Sequence, residues 1–216
     1  MKAFVKSIIV PLMVMACLHT VHAQIGPKTI SVGITVDYYH NKERTDPTYQ
    51  KSINIQPDLQ YFYKENRAVV GGVLFNRFEY TYRGSYNGRL ALYKANDQMA
   101  GGFLGIRNLY PIKEKLYFYI DLGMMYYQSN SQQVITDNPD SSLDIDYERR
   151  SYTVRGYASL GLMYFLNQKF SLESNLLNAG VSYSSPLGDP SVKVHNWNVD
   201  MNGGFQYLSF GLRYYF

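Results

Sequence analysis

The chain has 216 residues, 21 Lys+Arg against 17 Asp+Glu, and a single cysteine, Cys17. A formal net charge of +4 is no nucleic-acid footprint, one cysteine allows no disulfide framework or zinc–thiolate site, and nothing after residue 24 approaches the ~18 consecutive apolar residues of a membrane-spanning helix. The composition is instead rich in rings, with 22 Tyr and 11 Phe beside one Trp.

Lys2 and Lys6 form a short basic n-region, Ile8 to Leu18 an apolar core, and Val21-His22-Ala23 a small-residue cleavage site. The expected division is therefore a cleaved signal peptide over 1–23 and one domain over 24–216. Two other readings of the leader stay open. An uncleaved anchor would need about 20 apolar residues, more than this run holds. Val14-Met15-Ala16-Cys17 loosely resembles a lipoprotein processing site. Without Lys2 and Lys6 the basic count falls from 21 to 19, leaving a net +2.

From there the chain alternates with a period of two, the signature of strands with one apolar face. Ile30, Val32, Ile34, Val36 and Tyr38 form the first, and His40 to Lys51 is a polar loop. Ile53, Ile55, Pro57, Leu59, Tyr61 and Tyr63 form the second, with a bulge expected at Pro57, which donates no ladder bond. Lys64 to Arg67 is a tight turn. The third strand spans about 68–82 with an unclear phase, and it ends on Phe78, Tyr80 and Tyr82. After a loop over 84–97, the fourth spans about 98–109 and carries Leu104 and Ile106. A turn containing Pro111 leads to the fifth, with Leu116, Phe118, Ile120, Leu122, Met124 and Tyr126 on one face. A long polar, acidic loop covers 129–150. The sixth runs from Tyr152 to Leu166, Asn167 to Lys169 is a turn, and the seventh begins at Phe170 and turns irregular near Leu176-Leu177. A loop over 184–200 precedes an eighth strand from Met201 to Phe216.

Eight strands joined alternately by four long loops and three short turns place all long loops at one end of an up-and-down barrel. Alternation alone does not say which face is inside, and a lipocalin-like barrel is the soluble alternative. The aromatics favour lipid. Tyr38, Tyr80, Tyr82, Tyr126 and Tyr152 cluster at the long-loop ends of the apolar faces, and Tyr61, Tyr63, Phe118, Tyr164, Phe170, Tyr214 and Phe216 at the short-turn ends. Two belts around an aliphatic band suit rings seated at two membrane interfaces. The fold class expected is all-β: a transmembrane antiparallel up-and-down β-barrel of eight strands.

The last strand adds a motif. Ser209-x-Gly211-x-x-Tyr214-x-Phe216 resembles the C-terminal β-signal of outer-membrane proteins, and the whole of 24–216 resembles the small OmpA/OmpX-type outer-membrane β-barrel family. The resemblance implies a place in the cell outer membrane of a Gram-negative envelope and recognition of the last strand by the barrel-assembly machinery. No OmpA-like peptidoglycan-binding domain is expected after Phe216.

With the apolar faces outward, Asp58, Arg107, Asp121, Glu173 and Arg213 are expected to share one depth in the lumen, with Asp37 and Arg155, together with Arg77 and Glu79, nearer the long loops. An eight-stranded lumen is just wide enough to be filled by side chains, so both signs should meet in hydrogen-bonded pairs. The structural reading is a plug; the alternative is a narrow conduction path. The glycine pairs Gly71-Gly72, Gly101-Gly102 and Gly203-Gly204 read as curvature points beside luminal rings.

Catalytic signals are weak. His195 lies near Ser184, Ser185 and Ser191, but Pro186 and Pro190 interrupt the segment and no triad motif is recognisable. Asp137, Asp140, Asp144, Asp146 and Glu148 lack the EF-hand glycine and terminal glutamate, leaving a solvated loop or weak calcium binding. No cofactor, resident metal or catalytic residue is expected. Arg44, Lys51, Arg83, Arg89, Lys94, Arg149 and Arg150 could meet lipopolysaccharide phosphates. The expected function is structural or surface-interacting, in adhesion or envelope stability through the four long loops, as a monomer with bilayer, lipopolysaccharide and an extracellular partner. Passive, porin-like transport of small or apolar solutes is the alternative, and a lipid-modifying enzyme the third.

Overall fold

The computed structural model describes residues 25–42, 48–86, 89–137, 145–187, 196–203 and 209–216. The signal peptide expected over 1–23 lies outside the described residues. The described residues form nine strand segments and no helix: β1 (Ile30–Lys42), β2 (Tyr49–Lys64), β3 (Arg67–Tyr86), β4 (Arg89–Lys113), β5 (Leu116–Asp137), β6 (Ile145–Phe165), β7 (Phe170–Pro186), β8 (Asn196–Gly203) and β9 (Ser209–Tyr215). Each of β1 to β7 pairs antiparallel with the next. β8 pairs with β7 along Leu177–Ser184 and β9 with β7 along Phe170–Asn175, so the two are segments of one eighth stave. β9 also pairs with β1, from Ser31↔Tyr215 to Val36↔Phe210, which closes the barrel.

The pairing fixes the faces. Ile34, Leu104, Leu122, Met124 and Leu212 point outward and are exposed, while Arg107, Glu173 and Arg213 point inward and are buried. This is the inverse of a soluble barrel, in which the aliphatic faces would be the ones packed away. The outward aliphatic band therefore faces lipid, and the fold is a transmembrane antiparallel up-and-down barrel of eight staves. Below the band sit Tyr110 against Phe118 (centroids 6.2 Å apart), and Phe170, Tyr214 and Phe216 in successive contact at 5.0 and 4.9 Å. Above it, Tyr126, Tyr152, Tyr183 and Trp197 form a chain with centroid spacings of 6.5, 6.4 and 5.2 Å.

Trp197 is the only tryptophan in the sequence and faces outward at the upper belt. Its fluorescence in vesicles should be blue-shifted from that of water-exposed indole. Quenching by brominated phospholipids should be strongest with bromines near the headgroups. Emission unaffected by any brominated lipid would place this belt outside the membrane.

Several expectations change. The loops expected over 84–97 and 129–150 are largely strand, because β3 and β4 pair out to Tyr86↔Arg89 and β5 and β6 out to Ile135↔Ile145. Tyr80 and Tyr82 lie on the inward face, with Phe78 of β3 and Tyr93 of β4, rather than in the outer belt; the rings of Tyr82 and Tyr93 stack at 4.7 Å. Arg77 and Glu79 lie on the outward face and pair with each other at 2.8 Å, so they are not luminal. No bulge forms at Pro57: the β2–β3 register is the same on either side, at Ile55↔Phe75 and Asp58↔Gly72, although the ladder to β3 lapses at the proline. The β2–β3 turn holds Asn66 at φ 57°, a left-handed conformation that asparagine tolerates. The irregularity expected near Leu176 is real: Gly161↔Asn175 is followed by Leu160↔Leu177, leaving Leu176 as the extra residue. The expected strand over 201–216 is instead divided. Asn175↔Ser209 and Leu177↔Gly203 flank one residue on β7 but five, 204–208, on the last stave, and those five lie outside the described residues.

Candidate functional site

The barrel interior divides into a floor and a cup. The floor begins with a buried aromatic layer at the short-turn end, where Phe62, Tyr117, Tyr119, Met163, Phe165 and Tyr215 pack with Leu109, Ala68 and Ile25. Tyr215 lies 6.3 Å from Phe62 and 5.1 Å from Phe165, and Tyr117 meets Phe165 edge-on at 5.5 Å. Ile25 reaches this layer because the segment before β1 turns under the barrel, with Lys28 donating its backbone N–H to the Phe62 carbonyl at 2.6 Å.

Directly above lies the ionic layer. Arg107 and Asp121 are opposite each other on β4 and β5, and the guanidinium grips the carboxylate with two bonds, Nε to Oδ1 and Nη2 to Oδ2, each 2.7 Å. The remaining arm, Nη1, reaches Glu173 Oε2 on β7 at 2.6 Å. Arg213 on β9 donates through Nε to the other Glu173 oxygen and through Nη2 to Asp58 Oδ2 at 3.0 Å. With its amide oxygen turned inward, Gln60 accepts from Arg107 Nη1 at 2.8 Å and Arg213 Nη2 at 2.9 Å. Tyr119 lies under Arg107, its ring centroid 4.1 Å from the guanidinium carbon. Two guanidiniums thus share three carboxylates across five staves, and most of their N–H groups are used. Such multivalent pairing offsets the desolvation of charges that are almost wholly buried.

Gly33 makes room for this layer. A Cβ built there would stand 2.7 Å from the Arg213 guanidinium, so only a residue without a side chain lets the cation lie against β1. Of the luminal residues expected from sequence, Asp58, Arg107, Asp121, Glu173 and Arg213 come together here. Asp37 and Arg155 do not join them. Asp37 accepts from Asn54 Nδ2 at 2.7 Å, and Arg155 binds Asn178 Oδ1 at 2.7 Å and the Asp200 carboxylate. Asp200 was missed because it falls in a stretch that reads as loop, where nothing shows which way a side chain points.

Above the ionic layer the lumen widens into a cup of about 720 Å³. Its β1–β2 wall is polar (Thr35, Gln50, Ser52, Asn54, Gln56), and its β3–β5 wall is apolar, with Leu74, Met99, Phe103 and Met125. Beyond the membrane, burial pushes the Tyr80 hydroxyl pKa up from its ordinary value, and the Asp97 carboxylate adds to the effect.

The residues of the terminal motif split by face. Ser209 and Gly211 point inward and are buried, and Gly211 pairs with Thr35 and Glu173. Tyr214 and Phe216 point to lipid. His40 lies on the outward face between Tyr38 and Tyr49, and His195, Asp140 and Asp144 lie outside the described residues.

No family model matches the sequence and no curated protein is similar to it. Solved structures are. A major outer membrane protein from Thermus thermophilus is similar at a TM-score of 0.47 and 13% identity, over 87% of this chain and 98% of that one. The attachment invasion locus protein Ail of Yersinia pestis, in complex with the heparin analogue sucrose octasulfate, is similar at 0.41 and 16%, over 87% and 97%. The N-terminal β-barrel domain of Pseudomonas aeruginosa OprF is similar at 0.31 and 11%, over 89% and 100%. Each of these TM-scores is below one half, so the architecture rests on the strand pairing and the outward aliphatic band of this chain itself. That architecture is an eight-stave transmembrane antiparallel β-barrel, closed at the short-turn end and open as a cup toward the other.

Proposed function

We propose that the chain is an integral outer-membrane protein of a Gram-negative-type envelope that works at the cell surface, through the parts of its strands that stand above the membrane. The observation that carries this reading is the contrast between a closed floor and overlong staves. At about 3.3 Å per residue and a tilt near 40°, about 10 residues span the bilayer. β3 to β6 have 20, 25, 22 and 21.

The excess forms a protruding sheet of two hairpins. Its outer edges are free among the described residues above these points: β2 supports β3 as far as Tyr49↔Thr81, and β7 supports β6 as far as Ser151↔Pro186, with one further bond from the Leu187 N–H to the Arg150 carbonyl at 2.8 Å. Free edges at the surface offer backbone groups to an extended segment of a partner, and the charges of Glu148, Arg149 and Arg150 on the β6 edge limit self-pairing. In this reading the partners are an extracellular protein, lipopolysaccharide phosphates met by the outward Lys51, Arg83 and Lys94, and the assembly machinery that reads Ser209, Gly211, Tyr214 and Phe216. The protein acts as a monomer, and no catalysis is involved.

The test trims the hairpins at paired positions, joining Glu79 to Asn96 and Ser131 to Arg149 through two-residue turns. The trimmed barrel should keep its heat-modifiable migration. Expressing cells should lose attachment to coated surfaces and host cells. Undiminished attachment would remove the protruding sheet from the function, and a steady unitary conductance of the full chain in planar bilayers would favour passive transport instead.

A further inference from the structure

The luminal charges do not balance. In the ionic layer three carboxylates, Asp58, Asp121 and Glu173, face two guanidiniums, Arg107 and Arg213. Higher up, Arg155 and Asp200 cancel each other. Asp37 then adds a carboxylate that meets no basic side chain among the described residues. Its donors are neutral, the Asn54 amide and the Ser209 hydroxyl. Up to the level of Asp37 the lumen therefore carries an excess of two negative charges, in a recess whose low-dielectric walls focus a field of one sign.

Donors run short on the same side. Asp37, Asn54 and Asn76 are successive partners across β1, β2 and β3, and Asn54 gives its amide N–H to Asp37. Oδ1 of Asp37 and Oδ1 of Asn76, to either side of Asn54, are sheltered from solvent and have no hydrogen-bond donor among the described residues. Leaving such acceptors unpaired is costly, above all on a carboxylate. The same rung continues from Asn76 to Met99 on β4, and there the wall turns apolar. Phe103 and Met125, cross-strand partners on β4 and β5, extend it toward the floor. Methionines adapt to the outline of whatever lies on them. A volume of about 720 Å³ is within the range of sites that enclose a small ligand.

We infer that the cup binds a small organic cation with an apolar body, of the class of protonated aryl- and alkylamines. The ammonium donates to Asp37 and Asn76, and the body lies against Met99, Phe103 and Met125. An anion of the same shape meets the excess of negative charge, and a neutral analogue leaves that excess uncompensated. The site lies below the protruding sheet and is independent of it, so trimming the hairpins leaves these residues in place and does not test it.

The experiment uses the whole mature chain refolded in phosphatidylcholine nanodiscs. Saturation-transfer NMR titrations, with empty nanodiscs as the background, compare probes of similar size: 2-phenylethylammonium, 2-phenylethanol and 3-phenylpropanoate. The ammonium should bind about tenfold tighter than the alcohol, the scale of one hydrogen bond to a charged group, and the carboxylate should not bind. Asp37→Asn keeps the shape and removes the charge. It should bring the ammonium to the affinity of the alcohol and leave the alcohol unchanged, with heat-modifiable migration retained. Phe103→Ala should weaken ammonium and alcohol alike. Equal affinity of ammonium and alcohol for the unaltered chain, a comparison that needs no variant, would overturn the inference, as would ammonium binding indifferent to Asp37→Asn. Ammonium binding indifferent to Phe103→Ala would mean a bare ion site and overturn the class of ligand. Absence of saturation transfer to the ammonium would overturn the site.

Discussion

Glu173→Ala should destabilise the folded barrel by about 3–5 kcal/mol, the range for removing one partner of a buried ion pair. Glu173 bridges the two guanidiniums, with one carboxylate oxygen on Arg107 and the other on Arg213. Its removal leaves both cations with unsatisfied N–H groups in a layer where Arg107 is 5% and Arg213 2% exposed. It also changes the local balance from three carboxylates against two guanidiniums to two against two. Neutrality does not rescue the site, because Asp121 and Asp58 already use their geometry on one arginine each. Glu173→Gln keeps the shape and one acceptor, and should cost less than the alanine. The measurement is the midpoint of reversible urea unfolding in vesicles, with an unchanged slope. A loss below about 0.5 kcal/mol, the scale of an ordinary surface substitution, would mean that water reaches the layer and that the floor is not closed.

That prediction was open to sequence reasoning because alternation carries two kinds of information at membrane depth. Where lipid forces one face to be apolar, the other face is identified at the same time, so Asp58, Arg107, Asp121, Glu173 and Arg213 could be assigned to the lumen from parity alone. Their partners follow from barrel closure, which brings β4, β5, β7 and β9 around one axis. Above the membrane the constraint lapses. Asn96-Asp97-Gln98 on β4 and Ser129-Asn130-Ser131 on β5 meet water outside and polar groups inside, so neither face is marked, although the backbone ladder continues unbroken. Those stretches therefore read as loops, and the apolar-face parity of the sequence puts Tyr80 and Tyr82 on the face opposite to the one they occupy. Arg77 and Glu79 failed for the same reason: the phase of β3 is set by its pairing with β2, Ile55↔Phe75 and Leu59↔Gly71, not by its own mixture of Val73, Leu74, Phe75 and Phe78. The divided eighth stave is a property of register between β7 and its neighbours, and a single strand's sequence does not contain it.

The second large effect separates two glycines on one strand. Gly161→Ala should destabilise the barrel by about 1–3 kcal/mol or more, as overpacking of a filled interior does, whereas Gly156→Ala should be neutral or slightly stabilising. Gly161 faces inward, and a Cβ there would strike the Tyr119 ring and stand 2.5 Å from the Ser174 carbonyl oxygen. The ring has little room to retreat, since it is buried in the aromatic layer and lies under the Arg107 guanidinium. The carbonyl belongs to β7 beside the Leu176 bulge, so relief by backbone movement would disturb the Gly161↔Asn175 pairing. Gly156 faces outward, and a Cβ there meets nothing within 4 Å. The extra methyl would meet lipid, and the unfolded chain would lose conformational freedom, an effect worth about 0.4–1 kcal/mol. Side-by-side unfolding midpoints of the two variants provide the check, because the chemical change is identical and only the face differs. Equal effects would mean that the inward face of β6 is not packed against Tyr119, and the closed floor would lose its aromatic half.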